Sequence, residues 1–252
     1  MSLHFKCSPL DLDEEQILDY LHVLKSQHKT PSDSFFKHTV YGLRYAYRIY
    51  GMKEMRIMLP SIERPQKLPV VLNRNEVKQL LKTPRLLKHR LVLAMLYGCG
   101  LRCFELRNLQ LKDLDFDRKM LHIRQGKGRK DRYVPLADLQ IRGLKKYIAA
   151  ENPSIWCFTG NDRKGNPVAL STTGVQWIVR EARKHSGIQK EVTTHSLRHS
   201  YATHLLEMGL DIISVKDLLG HADIQTTLTY LHVAQLGRQK PFSPLERLYD
   251  KK

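Results

Sequence analysis

Cysteine is scarce, with four in 252 residues, and Cys7, Cys99, Cys103 and Cys157 form no C-x-x-C pair. That excludes a disulfide-stapled secreted scaffold and a paired-cysteine zinc site, and it suits reduced thiols in the cytoplasm. Cys99 and Cys103 flank Arg102, yet no metal-spaced His/Cys set stands near them, so no metal is expected. No apolar run approaches the roughly 20 residues of a bilayer-spanning helix, and no signal peptide opens the chain. The expectation is a soluble cytoplasmic protein with no membrane partner. Acidic residues are also in deficit: 25 Asp and Glu stand against 42 Lys and Arg, a formal charge of +17. The corresponding pI is near 9.8. Such an imbalance points to a polyanion, most simply nucleic acid, with a ribosomal or anionic-membrane surface as the alternatives. The basic run GKGRK at 126–130 lacks the G-x-x-x-x-G-K-[ST] order of a phosphate-binding loop, so no nucleotide or other cofactor is indicated.

What the chain does have is concentrated between His195 and Tyr230. His195 and Arg198 lie three apart, and a helix start would present both on one face. His221 follows Gly220 in LLGHADIQTT, which reads as a helix end, a turn and a new helix capped near Asp223. Tyr230 falls about two turns into that last helix. Arg102, in GCGLRCFEL, completes a set of Arg, His, Arg, His and Tyr. These types suit phosphoryl transfer. Two guanidiniums can grip the non-bridging oxygens of a phosphodiester under attack and stay charged at working pH. Imidazoles add hydrogen bonds or move protons near neutrality. A tyrosine hydroxyl is a competent nucleophile once its proton is taken.

The blocks HSLRHSYATHLLEMG, LLGHADIQTTLTYLHV and GCGLRCFEL resemble the signature blocks of the tyrosine recombinases, the phage-integrase family, nearest to its Xer-type and integron-type members. The likeness runs from about Leu68 to Val233, with the blocks in the family's order. It implies a site-specific recombinase that cuts and rejoins double-stranded DNA through a 3′-phosphotyrosyl link, without metal or ATP. Tyr230 would attack, while Arg102, Arg198, His195 and His221 stabilise the transition state, His195 being the first choice of base. Lys127 matches the family's hairpin lysine, taken as the general acid for the departing 5′-hydroxyl; a phosphate-tracking turn shared with Arg129 and Lys130 is the alternative. Glu105 would orient Arg102 or a histidine, or the two form an ordinary structural salt bridge. His199 and His232 would support the residues beside them. Tyr201 is the rival nucleophile but resembles the family's packing aromatic. A homotetramer on two synapsed sites, with accessory DNA-bending proteins, is the implied assembly.

The implied fold is mainly α with a small three-stranded antiparallel sheet, in two domains forming a C-shaped clamp. Residues 1–62 read as the N-terminal helical DNA-binding domain. The stretch DLDEEQILDYLHVL is a capped amphipathic helix, and a second helix runs from about Ser34 to Tyr50. On the latter, Phe36, Val40, Leu43, Tyr47 and Tyr50 form a core stripe. Lys37, Tyr41, Arg44 and Arg48 form the adjacent stripe. It is a solvated face by itself and a phosphate-contacting face beside a recombinase core. The family's equivalent domain begins with a further helix that this chain starts too late to hold fully. Proline-bearing residues 63–69 read as a linker, and 70–252 as the catalytic domain, opening with Asn73 or Asn75 as a helix cap.

Within that domain HRLVLAMLYGCGLR reads as a core helix. LKDLDF, MLHIRQ and RYVPL read as three antiparallel strands. Helices are expected at about 137–150, 171–186, 196–208, 211–219 and 224–233, with WCFTGNDRKGNPVAL as a loop. The tail from Gln235 either docks on a neighbouring protomer or folds back on its own. Two other readings of the same groups remain: a type IB topoisomerase-like nicking-closing enzyme, and a non-catalytic DNA-binding protein.

Overall fold

A computed structural model describes residues 1–27, 33–52, 68–124 and 131–234. The chain divides into two compact units, Met1–Gln66 and Lys67–Lys252. The expected linker at 63–69 falls largely outside the described residues.

In the first unit, α1 (Ser2–Phe5) and a short 3₁₀ turn (Pro9–Asp11) precede α2 (Glu14–Gln27) and α3 (Asp33–Ile49). Helix α2 begins where its acidic start predicts. The Gln16 amide donates to Asp13 Oδ1 at 2.8 Å, and the Asp13 amide donates back to Gln16 Oε1 at 3.0 Å, a reciprocal cap. Leu12, Ile17 and Leu21 pack with Val40, Leu43 and Tyr47 into a core of their own. Three of the five anticipated stripe residues are thus buried. Tyr50 is not: it lies past the end of α3 and is exposed, and the Phe36 side chain lies outside the described residues. Lys37, Tyr41, Arg44 and Arg48 are all exposed, and the Arg48 guanidinium sits 5.3 Å from the centre of the Tyr45 ring.

The second unit opens with α4 (Arg74–Lys82), capped by Asn73. Asn73 Oδ1 accepts from the Glu76 amide at 2.8 Å, and Glu76 Oε2 accepts from the Asn73 amide at 2.7 Å. Next comes α5 (Leu87–Gly98), apolar on nearly every side, with Leu91, Val92, Leu93, Met95 and Leu96 buried. A helix of that composition belongs in a core, since each such side chain withdrawn from water contributes about 1.5–3 kcal/mol. After the short α6 (Cys103–Arg107) come β1 (Leu114–Asp115), β2 (Met120–Ile123) and β3 (Arg132–Pro135). They form an antiparallel sheet in the order β1-β2-β3 with Leu121 opposite Val134. Leu121, Ile123 and Val134 face the core, whereas His122 and Tyr133 pair across the sheet with rings stacked at 4.6 Å.

The remaining elements are α7 (Asp138–Glu151), β4 (Thr159–Asn161), β5 (Pro167–Ala169), α8 (Thr172–Ser186), α9 (Thr194–Glu207), α10 (Ile212–Leu219) and α11 (Gln225–Leu228). Helix α9 packs along α5, with α8 and α10 against it. It is buried on almost all sides, Ser196, Leu197, Arg198, Ser200 and Tyr201 included. Two expectations need correction. The stretch read as a loop forms the β4–β5 hairpin, closed by Asp162, whose Oδ1 accepts from the amides of Lys164 and Asn166, both at 2.8 Å. The helix expected at 224–233 ends at Leu228 and continues as turns, so Tyr230 lies beyond it. Among the described residues no helix is long and apolar enough to cross a membrane.

Candidate active site

The C-terminus of α10 is the hub of the site. A helix end leaves carbonyls without intrahelical partners and carries partial negative charge. Here three consecutive carbonyls each receive a different guanidinium. Leu218 O accepts from Arg132 Nε at 2.8 Å, Leu219 O from Arg198 Nη2 at 2.6 Å, and Gly220 O from Arg102 Nη2 at 3.4 Å. Gly220 makes the turn with φ 62°, and a Cβ there would come within 3.1 Å of Arg132 Cδ and Nη1. His221 is the next residue. The sequence LLGH therefore ends a helix, gathers three cations and delivers an imidazole beside them.

Arg102 emerges at the N-cap of α6 after Gly100, whose φ of 59° and closeness to the Tyr201 ring leave no room for a side chain. The Gly100 carbonyl accepts from Arg198 Nη1 at 2.6 Å, so both carbonyl partners of Arg198 are backbone groups. Arg198 is 3% exposed. Burial, with Arg102 and Arg132 nearby, lowers its pKa to about 10, which leaves it charged at neutral pH.

Glu105 is the counter-ion. Its two oxygens take four donors: Arg102 Nη1 (2.7 Å) and Arg132 Nη1 (2.9 Å) on Oε1, and Arg132 Nη2 (2.8 Å) and the Arg102 amide (2.8 Å) on Oε2. Burial would raise its pKa, but the hydrogen bond and charge of Arg132, with those from Arg102, outweigh it and hold the carboxyl at about 2. Glu105 thus orients Arg102, as one branch of the sequence reading has it, and no histidine. Its other partner, Arg132, has no part in the reading of the sequence. Three guanidiniums around one carboxylate leave a surplus of positive charge, as an anion site requires.

Tyr230 lies at the other side of this cluster, 3% exposed. Its hydroxyl is 3.1 Å from His199 Nδ1, and its ring lies 5.5 Å from His199 and 6.2 Å from His221, nearly parallel to the latter. Burial raises the Tyr230 pKa, and Arg198 and Arg102 pull the other way. Burial also pushes His199 down to about 4, helped by His195 and Arg198. A neutral imidazole therefore faces the hydroxyl, and its Nε2–H tautomer presents Nδ1 as an acceptor. His221 is oriented by Thr227, with Nδ1 and Oγ1 2.9 Å apart.

Arg102, Arg198, Glu105, His199, His221 and Tyr230 are brought together. His195 is nearby but differs from expectation. It is exposed in the first turn of α9, with its ring 6.3 Å from that of His199, and it is His199 that meets the tyrosine hydroxyl. His232 is exposed beyond Tyr230, and among the described residues it makes no hydrogen bond or ion pair to the cluster. Lys127, Arg129 and Lys130 lie outside the described residues. Tyr201 is buried against Gly100, and burial raises its pKa, which suits the packing role. Among the described residues no group of three or more His, Cys, Asp or Glu could hold a metal ion.

A profile of the phage integrase family matches residues 70–236. The chain belongs to the phage integrase family, the tyrosine recombinases. A tyrosine recombinase of Thermosipho africanus is 39% identical over 226 residues, covering 88% of this chain and 75% of that protein. Tyrosine recombinase XerA of Thermococcus kodakarensis is 36% identical, covering 88% of this chain and 78% of its own length. In fold, the chain matches XerH site-specific recombinase bound to its difH substrate, with TM-score 0.70, 24% identity, and coverage of 89% of this chain and 68% of XerH. Membership makes this recombinase an enzyme of DNA strand breakage and rejoining, and the mainly helical fold with its small antiparallel sheet agrees.

Proposed function

We propose that this recombinase exchanges strands between specific sites in double-stranded DNA, with Tyr230 as the nucleophile. Its phenolic oxygen attacks the scissile phosphorus, and the bond to O5′ breaks, leaving a 3′-phosphotyrosyl link and a free 5′-hydroxyl. Arg102 and Arg198 grip the non-bridging oxygens, and His221 and His195 add hydrogen bonds. His199 accepts the phenol proton in place of His195. Lys127 protonates the departing O5′. Because the phosphodiester energy stays in the covalent link, a partner strand's 5′-hydroxyl reseals the break by the reverse steps without ATP.

One observation carries the reading. Two charged guanidiniums and the hydroxyl of a buried tyrosine share one cluster, with an imidazole 3.1 Å from that hydroxyl. A non-catalytic DNA-binding protein would have no use for an imidazole set against a tyrosine hydroxyl beside two guanidiniums. The two units act as a clamp on the duplex, with Lys37, Tyr41, Arg44 and Arg48 on the backbone and Arg129 and Lys130 tracking phosphates beside Lys127. Four protomers synapse two sites on cytoplasmic, nucleoid DNA, with accessory DNA-bending proteins where the sites demand them.

A nicked suicide substrate, from which the short cleaved strand diffuses away, tests the proposal. The wild type accumulates a covalent protein–DNA adduct and Tyr230→Phe gives none. An adduct of equal yield in the Phe variant would reject Tyr230. No adduct from the wild type on a verified cognate site would leave only binding.

A further inference from the structure

The cluster contains a third guanidinium that strand transfer, as described above, does not use. Arg132 begins β3, five residues after Lys127 in the sequence. It is 8% exposed, and all of its donor-bearing nitrogens are engaged: Nε on Leu218 O, and both terminal nitrogens on Glu105. It is buried against the carboxylate and the end of α10 rather than turned out to solvent. We propose that Arg132 is a positioning residue that occupies Glu105, so that Arg198 stays off that carboxylate and is kept for the scissile phosphate.

The guanidiniums around Glu105 compete for one carboxylate. A carboxylate has about four acceptor positions, and Arg132 fills two of the four taken on Glu105. Arg198 Nη1 stands 3.9 Å from Glu105 Oε2, a long ion pair beyond hydrogen-bond distance, with its hydrogen bonds made to Gly100 and Leu219 instead. Without Arg132, Glu105 would have two open positions in a buried site. Arg102 is already on Glu105 through Nη1, so the next cation able to fill them is Arg198. That closer pairing would draw Arg198 away from the phosphate, and a buried pair is costly to separate again. Arg132 also ties the base of β3 to the end of α10 through Leu218, which sets the strand that follows Lys127 against the rest of the site.

The proposal rests on the strand-transfer reading, and the test separates the two. Adduct rate at saturating suicide substrate and DNA affinity are measured for wild type, Arg132→Gln, Arg132→Lys, Glu105→Gln and the double variant Glu105→Gln/Arg132→Gln, with thermal melting as a check of folding. Arg132→Gln is expected to slow adduct formation roughly 100-fold, the scale of losing one transition-state contact, while affinity changes less than about threefold. Arg132→Lys, which keeps the charge but not the fork, falls between. The deciding result is the double variant. Removing the charge of Glu105 leaves nothing to capture Arg198, so it recovers about tenfold over Arg132→Gln alone. A double variant as slow as Arg132→Gln or slower makes Arg132 merely structural and overturns the proposal, as does an Arg132→Gln rate within threefold of wild type. If Arg132→Gln fails to fold, Arg132→Lys with and without Glu105→Gln gives the same comparison. Should the wild type itself form no adduct, the strand-transfer reading fails separately. Binding of tungstate, measured by calorimetry, then reads the site directly: weaker in Arg132→Gln and restored in the double variant if Arg132 has this role, unchanged if it does not.

Discussion

At the scale of single residues, the distance from His199 to Tyr230 decides how the nucleophile is managed. A buried phenol with no acceptor loses about 1–3 kcal/mol of stabilisation, and the imidazole of His199 stands at hydrogen-bond distance from this hydroxyl. His199→Ala is therefore expected to slow adduct formation by about 100-fold, the usual scale of proton-transfer assistance. His195→Ala, truncating an exposed ring, should act through the phosphate and leave the hydroxyl's partner in place. A 5′-bridging phosphorothiolate separates the two ends of the reaction, because a thiolate departs without a proton. It should rescue Lys127→Ala and fail to rescue His199→Ala, and rescue of both would remove His199 from the proton path. Glu105 supplies the pH dependence. Its folded pKa of about 2 lies below the ordinary value of 4.5. The unfolded chain therefore binds the proton first, and the stabilisation is present above about pH 4.5 and lost as pH falls towards 2. A shift of that size corresponds to roughly 3 kcal/mol at most. Urea unfolding between pH 6 and 3 should show the wild type losing stability faster than Glu105→Gln; parallel curves would contradict the assignment.

At the scale of elements, the end of α10 can be tested by a pair of glycines. Gly220 and Gly187 both close helices with positive φ, 62° and 73°, so alanine at either costs about 1 kcal/mol in backbone strain. They differ in surroundings: a Cβ at Gly187 meets nothing within 4 Å, whereas at Gly220 it crowds Arg132. Both variants should melt a few degrees lower, but only Gly220→Ala should also slow adduct formation by tenfold or more. Equal adduct rates would mean that the three carbonyls do not set the site. Elements of this kind explain what could be read in advance. Helices with strong apolar stripes or clear caps, such as α2, α4 and α5, follow from periodicity, from the acidic start of DLDEEQILDYLHVL and from Asn73. Helix α9 instead starts two residues before the expected 196, at an unanticipated Thr193 cap. The β4–β5 hairpin does not, because three-residue strands hold too little alternation to register. Helix α11 stops early because its last turns unwind towards Tyr230, a tertiary effect. Arg132 was invisible for a related reason: in GKGRKDRYVP it looks like any other basic hairpin residue, and only the folded chain shows that it faces Glu105. Likewise, the spacing of His195 and Arg198 puts both on one face, but the cap at Thr193 sets His195 in an exposed first turn. The next imidazole, one turn on, is then the one that meets the tyrosine.

At the scale of the whole molecule, the charge of +17 must act through particular faces if it is more than a solubility device. Helix α3 offers such a face. Lys37, Tyr41, Arg44 and Arg48 are exposed along it, while Val40, Leu43 and Tyr47 on the other side are buried in a core belonging to the first unit alone. Removing the three cations should therefore spare both the fold of that unit and the cluster around Tyr230. DNA binding releases counterions, so log affinity falls linearly with log salt by about 0.9 per phosphate neutralised. The triple variant Lys37→Ala/Arg44→Ala/Arg48→Ala should bind more weakly and show a slope shallower by up to about 2.7, measured by fluorescence anisotropy from 50 to 200 mM salt. Its adduct rate at saturating suicide substrate should match the wild type, because none of the three residues touches the reacting atoms. An unchanged slope would return this stripe to an ordinary solvated face and assign the salt-dependent grip to the second unit. A lost adduct rate at saturation would mean instead that the first unit helps to assemble the catalytic site.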